Sequence, residues 1–152
     1  MEKVKILWVD DEIELLKPHI LFLERKGYVL ATANNGEDAL DMIDSEAYDI
    51  IFLDENMPGI SGLETLSLIY ENHNIPVVMI TKSEEEYIME EALGSKISDY
   101  LIKPVNPHQI LLSLKKNLDT KRLVNEKVTS NYQKEFREIS MALLDVRSLK
   151  EW

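Results

Sequence analysis

Apolar residues fall in short continuous runs along the first two thirds of the chain, each closed by polar or turn-forming residues. Residues 4–9 (Val-Lys-Ile-Leu-Trp-Val), 28–33, 50–53 and 76–80, with 99–102 after them, are such runs. Runs of that length bounded by turn residues suit strands buried on both faces of a parallel sheet. Between them the period lengthens to three and four. Ile13, Leu16, Ile20 and Leu23 mark a first helix with Gly27 as its stop signal. Pro18 fits it if the regular helix begins around residues 14–17, which puts the proline in the first turn; otherwise a kink is expected. Asn35 caps a second helix carrying Ala39, Leu40 and Ile43. Ser61-Gly62-Leu63-Glu64 is a capping box before Leu63, Leu66 and Ile69, and Ser83-Glu84-Glu85-Glu86 is another, before a helix that Gly94 ends. Asn106-Pro107-His108-Gln109 opens a fifth helix with proline at its first position.

Five strands alternating with five helices imply an α/β fold: a doubly wound parallel sheet with helices on both faces. The order 2-1-3-4-5, flavodoxin-like, makes strands one and three neighbours and puts the switch point between them. Both of these strands end in acid. The first runs into Asp10-Asp11-Glu12. The third ends in Asp54, and Asn56, Pro58, Gly59 and Gly62 then turn the chain. Asp10, Asp11 and Asp54 thus converge on the C-terminal rim. Three carboxylates in one cleft repel unless a cation joins them, and a hard, oxygen-seeking ion such as Mg2+ suits them. A metal-clamped aspartate is also a potential nucleophile toward phosphorus.

Beyond about Leu118 the pattern changes. Leu118, Leu123, Val124 and Val128 are scattered in a polar, helix-prone stretch. Ser130-Asn131-Tyr132-Gln133 is a further capping box, and Phe136, Ile139, Leu143, Val146 and Leu149 follow at mostly helical spacing. Residues 1–118 are therefore expected to form one domain, and 119–152 a C-terminal helical extension or linker whose apolar face needs a partner. The end at Trp152 reads as a fragment of a longer protein or as a helix that dimerises.

Composition narrows the function. A hydrophobic share of 45% in 152 residues supports a real core. A formal charge of −11 argues against direct nucleic-acid binding by this chain and against an acidic membrane surface. No apolar run approaches the roughly 18 residues that span a bilayer. Residues 1–5 lack a signal-peptide layout, and with no cysteine the default compartment is cytoplasmic.

Asp10-Asp11, Asp54 with Met57-Pro58 and Gly62, Thr81, and Tyr100 followed by Lys103-Pro104 resemble, in order and setting, the receiver domains of two-component response regulators. The resemblance covers about residues 3–117. It implies that Asp54 accepts a phosphoryl group from a sensor histidine kinase, and that the protein is a signalling switch, not an enzyme in the usual sense. It implies that Asp11, Asp54 and the backbone carbonyl of Asn56 bind Mg2+ directly, with Asp10 acting through water. Lys103 would neutralise the phosphoryl oxygens, Thr81 would donate its hydroxyl to one, and Tyr100 would swing inward when Thr81 moves. A cis bond before Pro104 would aim Lys103, and phosphorylation is expected to promote a homodimer.

Blander readings stand beside these. Thr81 also reads as a strand-end residue, Tyr100 as plain core, and Glu84, Glu85, Glu86, Glu90 and Glu91 as a solvated face. His19, His73 and His108 have no ligand-like neighbours and receive no role. Lys82 stands where receivers usually carry a small residue; it either restricts access or adds positive charge. A Mg2+-dependent phosphohydrolase would need a second carboxylate as general acid two residues after Asp54, where this chain has Asn56. A phosphorylation-independent interaction module would not need the acid, threonine and lysine set. The output domain and the cognate kinase are left open.

Overall fold

The computed structural model describes residues 3–82 and 85–122, with side chains up to Leu118. Five strands, β1 (Lys5–Val9), β2 (Val29–Ala33), β3 (Ile50–Leu53), β4 (Val77–Thr81) and β5 (Asp99–Ile102), alternate with α1 (Lys17–Arg25), α2 (Gly36–Ser45), α3 (Gly62–Asn72), α4 (Glu86–Gly94) and α5 (Pro107–Arg122). The strands pair in parallel in the order β2-β1-β3-β4-β5. This is the topology that the alternating pattern implied. The described compact unit closes at Leu118, although α5 itself runs on to Arg122.

The continuous apolar runs are explained by two-sided burial. Leu7, Val9, Ile51, Leu53, Val77 and Met79 form one cluster with Ala39 and Ile43 of α2, Leu66 and Ile69 of α3, and Ala92 of α4. The alternate residues Ile6, Trp8, Ile50, Phe52, Val78 and Ile80 pack against Leu23 of α1 and Ile110 and Leu114 of α5. Nearly all of these side chains are wholly buried, each worth roughly 1.5–3 kcal/mol over exposure. The edge strands β2 and β5 are only partly covered.

Helix starts follow local chemistry. A 3-10 turn (Ile13–Leu16) takes up the residues after β1, so α1 begins at Lys17 with Pro18 in its first turn, where a missing N–H costs nothing. The Asn35 side chain accepts from Asp38 N at 2.8 Å. Ser61 Oγ accepts from Glu64 N at 3.1 Å and donates to the Glu64 carboxylate at 3.3 Å. Three strands start one residue later than the apolar runs suggested, at Lys5, Val29 and Val77. At β4 the residue left out is Pro76, which has no N–H to give the ladder. Helix α4 starts at Glu86 behind an N-cap, Glu85, that makes no side-chain cap bond. Its left-handed exit residue is Lys96 (φ 62°), two residues past Gly94. The expected capping boxes at Ser83 and Ser130, and the amphipathic stretch with Phe136, Ile139, Leu143, Val146 and Leu149, lie outside the described residues. Among the described residues no helix is long and apolar enough to cross a membrane.

Candidate functional site

Register brings the acids together. Val9 pairs with Leu53 across β1 and β3, so the next residues, Asp10 and Asp54, leave the sheet side by side. The ladder continues into them: Asp54 N donates to Val9 O at 3.0 Å, and Asp10 N to Ala33 O at 3.0 Å. Carboxylate oxygens of Asp10, Asp11 and Asp54 lie within 4.8 Å of one another. Asp10 is wholly buried and Asp54 is 4% exposed, whereas Asp11 faces solvent.

Lys103 enters from β5. Its backbone N–H donates to Thr81 O at 2.9 Å, and a cis peptide bond joins it to Pro104. Its ammonium bonds to Asp10 and, at 3.3 Å, to Asp54. Asp10 also accepts from Glu12 N at 2.8 Å.

Burial pushes the Asp10 carboxyl up; the bonds from Lys103 and Glu12 N oppose this, and the Asp54 charge adds to it. Burial pulls the Lys103 ammonium down, but the bond to Asp10 and the charges of Asp54 and Asp10 outweigh it, leaving it above the ordinary lysine value. Asp10 thus holds its proton more tightly chiefly because it is buried, and Lys103 because Asp10 and Asp54 face it. Oxygen-only donors with surplus negative charge fit a hard divalent ion such as Mg2+. Two oxygens on opposite sides of such an ion stand about 4.2 Å apart, close to the spacing here.

Thr81 ends β4, wholly buried. Tyr100 is half-buried, pairs with Met79 across β4 and β5, and packs against the cluster that includes Ala92 of α4. The Lys82 ammonium lies 3.8 Å from Glu12 Oε1, and both side chains are well exposed. Beside them a cleft of about 360 Å3 is lined by Lys82, Lys103, His19 and Val105.

Two contributors were not legible in the sequence. Glu55 is buried behind Asp54, and its carboxylate accepts from Leu63 N at 2.8 Å while its carbonyl accepts from Gly62 N at 2.9 Å. Burial pushes its carboxyl up; the Leu63 N–H opposes this, and the Asp54, Glu64 and Glu91 charges reinforce it. Gly62, expected as a turn former within the capping box, also lets α3 press onto the site: a Cβ there would stand 2.3 Å from Asp54 O.

Comparison with known proteins identifies the family and the fold. The family described as the response regulator receiver domain matches residues 6–115. The transcriptional regulatory protein ResD of Bacillus subtilis is 34% identical over 113 residues, 74% of this chain and 47% of its own length. A CpxR homolog of Haemophilus influenzae is 38% identical over 73% of this chain and 48% of its own length. The chain thus spans about half the length of the curated relatives it matches. Among solved structures, a two-component response regulator from Clostridium difficile superposes with a TM-score of 0.74 at 32% identity, covering 81% of this chain and 99% of that one. A CheY-like receiver domain protein from Methanospirillum hungatei gives 0.75 at 26% identity, covering 80% and 98%.

Proposed function

Since the chain belongs to the response regulator receiver domain family, we propose that Asp54 accepts a phosphoryl group from a sensor histidine kinase in a Mg2+-dependent reaction. The observation that carries this is the meeting of Asp10, Asp11 and Asp54 at one rim with the Lys103 ammonium between two of them. An Asp54 carboxylate oxygen bonds to phosphorus, and the phosphorus–nitrogen bond of the donor phosphohistidine breaks. The imidazole leaves with the electron pair and takes up a proton. Asp11, Asp54 and the Asn56 carbonyl would hold Mg2+ and Asp10 would orient it through water; when bound, it neutralises charge on the phosphoryl oxygens. Lys103 meets those oxygens from the other side, as a positioned cation that needs no reorganisation.

The same reading extends to signalling. Thr81 donates its hydroxyl to the phosphoryl group, and Tyr100 turns inward as Thr81 moves. A local charge change then alters the surface formed by α4, β5 and α5. Exposed Tyr87 and Leu93 on α4 and Leu112 on α5 lie on the helices either side of β5 and support a homodimer there. Residues 1–118 act as the receiver and 119–152 as a helical extension or linker. The protein works in the cytoplasm, and this acidic chain makes no direct contact with nucleic acid.

Acetyl phosphate with Mg2+ should add one acid-stable, base-labile phosphoryl group, and Asp54→Asn should abolish it. Labelling of that variant at the wild-type level would sink the assignment. Sedimentation of the 1–152 chain and of a chain ending at Leu118, each with and without beryllofluoride, tests the dimer. A monomer under all four conditions removes it.

A further inference from the structure

His19, on α1, touches two parts of the site from beneath. Its Nε2 lies 2.9 Å from the carbonyl oxygen of Val105, 86 residues away in sequence. A carbonyl only accepts, so Nε2 carries a proton, and in the Nε2–H tautomer Nδ1 is an acceptor. Among the described residues, Nδ1 of His19 and the indole nitrogen of Trp8 are the buried side-chain polar atoms without a hydrogen-bond partner. The two are complementary, because an indole nitrogen only donates. The rings stand edge to face with centroids 6.3 Å apart, and Trp8 meets Phe52 in the same way at 5.1 Å. Trp8 and Phe52 are register partners, each two residues before an acid of the site, Asp10 and Asp54. Val105 lies two residues past Lys103.

One imidazole therefore spans the distance between the loop that carries Lys103 and the aromatic floor under Asp10 and Asp54. The Lys103 backbone is tied on its strand side by Thr81 O. His19 supplies the tie on the other side.

We propose that His19 is a positioning residue for Lys103. Its Nε2–H bond to Val105 holds the loop that places the ammonium between Asp10 and Asp54. Its Nδ1 takes the Trp8 indole N–H through one buried water, and so fastens that loop to the floor of the site. The proposal rests on the reading of Asp54 as phosphoacceptor.

A double-mutant cycle on the 1–152 chain tests it, with acetyl phosphate as donor and the initial labelling rate as readout. His19→Leu is expected to slow labelling about tenfold, as for a displaced catalytic group. His19→Gln, which keeps an N–H donor near the Nε2 position, should recover the rate to within about threefold of wild type. In a Lys103→Ala background, His19→Leu should change the rate less than about twofold, because an effect exerted through Lys103 is already spent. Equal losses in both backgrounds, or a glutamine variant as slow as the leucine variant, would reduce His19 to a packing residue and overturn the proposal. Imidazole 1H–15N spectra of the metal-free chain give a second reading. The Nε2–H tautomer is expected, and the Nδ1–H tautomer would overturn the proposal even if a variant fails to fold. Labelling that survives Asp54→Asn would instead strike the phosphoacceptor reading, leaving the tautomer to judge His19.

Discussion

Replacing Gly62 by alanine measures how hard α3 is pressed against the site. In a helix, alanine normally beats glycine by about 0.5–1 kcal/mol. Here the added Cβ would stand 2.3 Å from Asp54 O, 2.7 Å from Glu55 Cα and 2.9 Å from Asp54 C. All three are backbone atoms, so none can rotate aside. Relieving the shortest contact takes a retreat of the helix start by about 1 Å, given that carbon contacts settle near 3.5–4.0 Å. That retreat stretches two bonds that seat the helix, Gly62 N to Glu55 O at 2.9 Å and Leu63 N to Glu55 Oε1 at 2.8 Å. Overpacking costs about 1–3 kcal/mol and a weakened hydrogen bond about 1 kcal/mol more. The propensity gain is therefore outweighed, and Gly62→Ala should destabilise by about 1–3 kcal/mol in urea denaturation followed by circular dichroism. Asp54 labelling should slow with it, since the strained contact is to the backbone carbonyl of Asp54 itself. Gly94→Ala is the internal control: nothing lies within 4 Å of its added Cβ. It should leave stability unchanged or raise it by up to about 1 kcal/mol. A Gly62→Ala chain as stable as wild type, with an unshifted labelling rate, would refute the close approach.

Asp11→Ala should weaken Mg2+ binding at least about tenfold in calorimetry, because a hard ion loses a charged oxygen ligand; a wild-type chain without a saturable response would refute the site. The Tyr48 phenol is pushed up to about 12 by burial and by its bond to the Glu46 carboxylate. The unfolded phenol ionises first, near pH 10, so stability should fall as pH rises from there toward 12, and Tyr48→Phe should flatten that slope. An unchanged slope in the variant would refute the assignment.

What could be read from the sequence is what depends on neighbours along the chain. Buried strands announce themselves as apolar runs, and their ends put Asp10 and Asp54 on one rim. Pro18 located the true start of α1 because a proline has few tolerable places in a helix. The contacts that hold the site in shape gave no such signal. Glu55 looks like any loop acid, yet it anchors α3 from the residue after Asp54. His19 looked isolated because its partner, Val105, is brought to it only by the winding of α1 and α5 onto the same face of the sheet. Gly62 was legible as a turn former but not as a close approach, which depends on where the incoming helix lies.

The charged trio is poorly explained by stability. Asp10 is wholly buried, and the Lys103 side chain is 12% exposed against it. Removing such ions from water costs several kcal/mol each, and apolar residues of similar volume often serve a fold as well or better. The trio also does not balance itself. One ammonium is shared by two carboxylates with a third beside them; burial pushes the Asp10 carboxyl up, and the charges of Asp10 and Asp54 hold the Lys103 ammonium up against its own burial. A purely structural ion pair would have been arranged to cancel. An arrangement that leaves negative charge in excess at the rim, beside a cation tied to two of the acids, is instead compatible with a divalent ion. The surplus negative charge is thus the feature on which the proposed phosphoacceptor role of Asp54 rests.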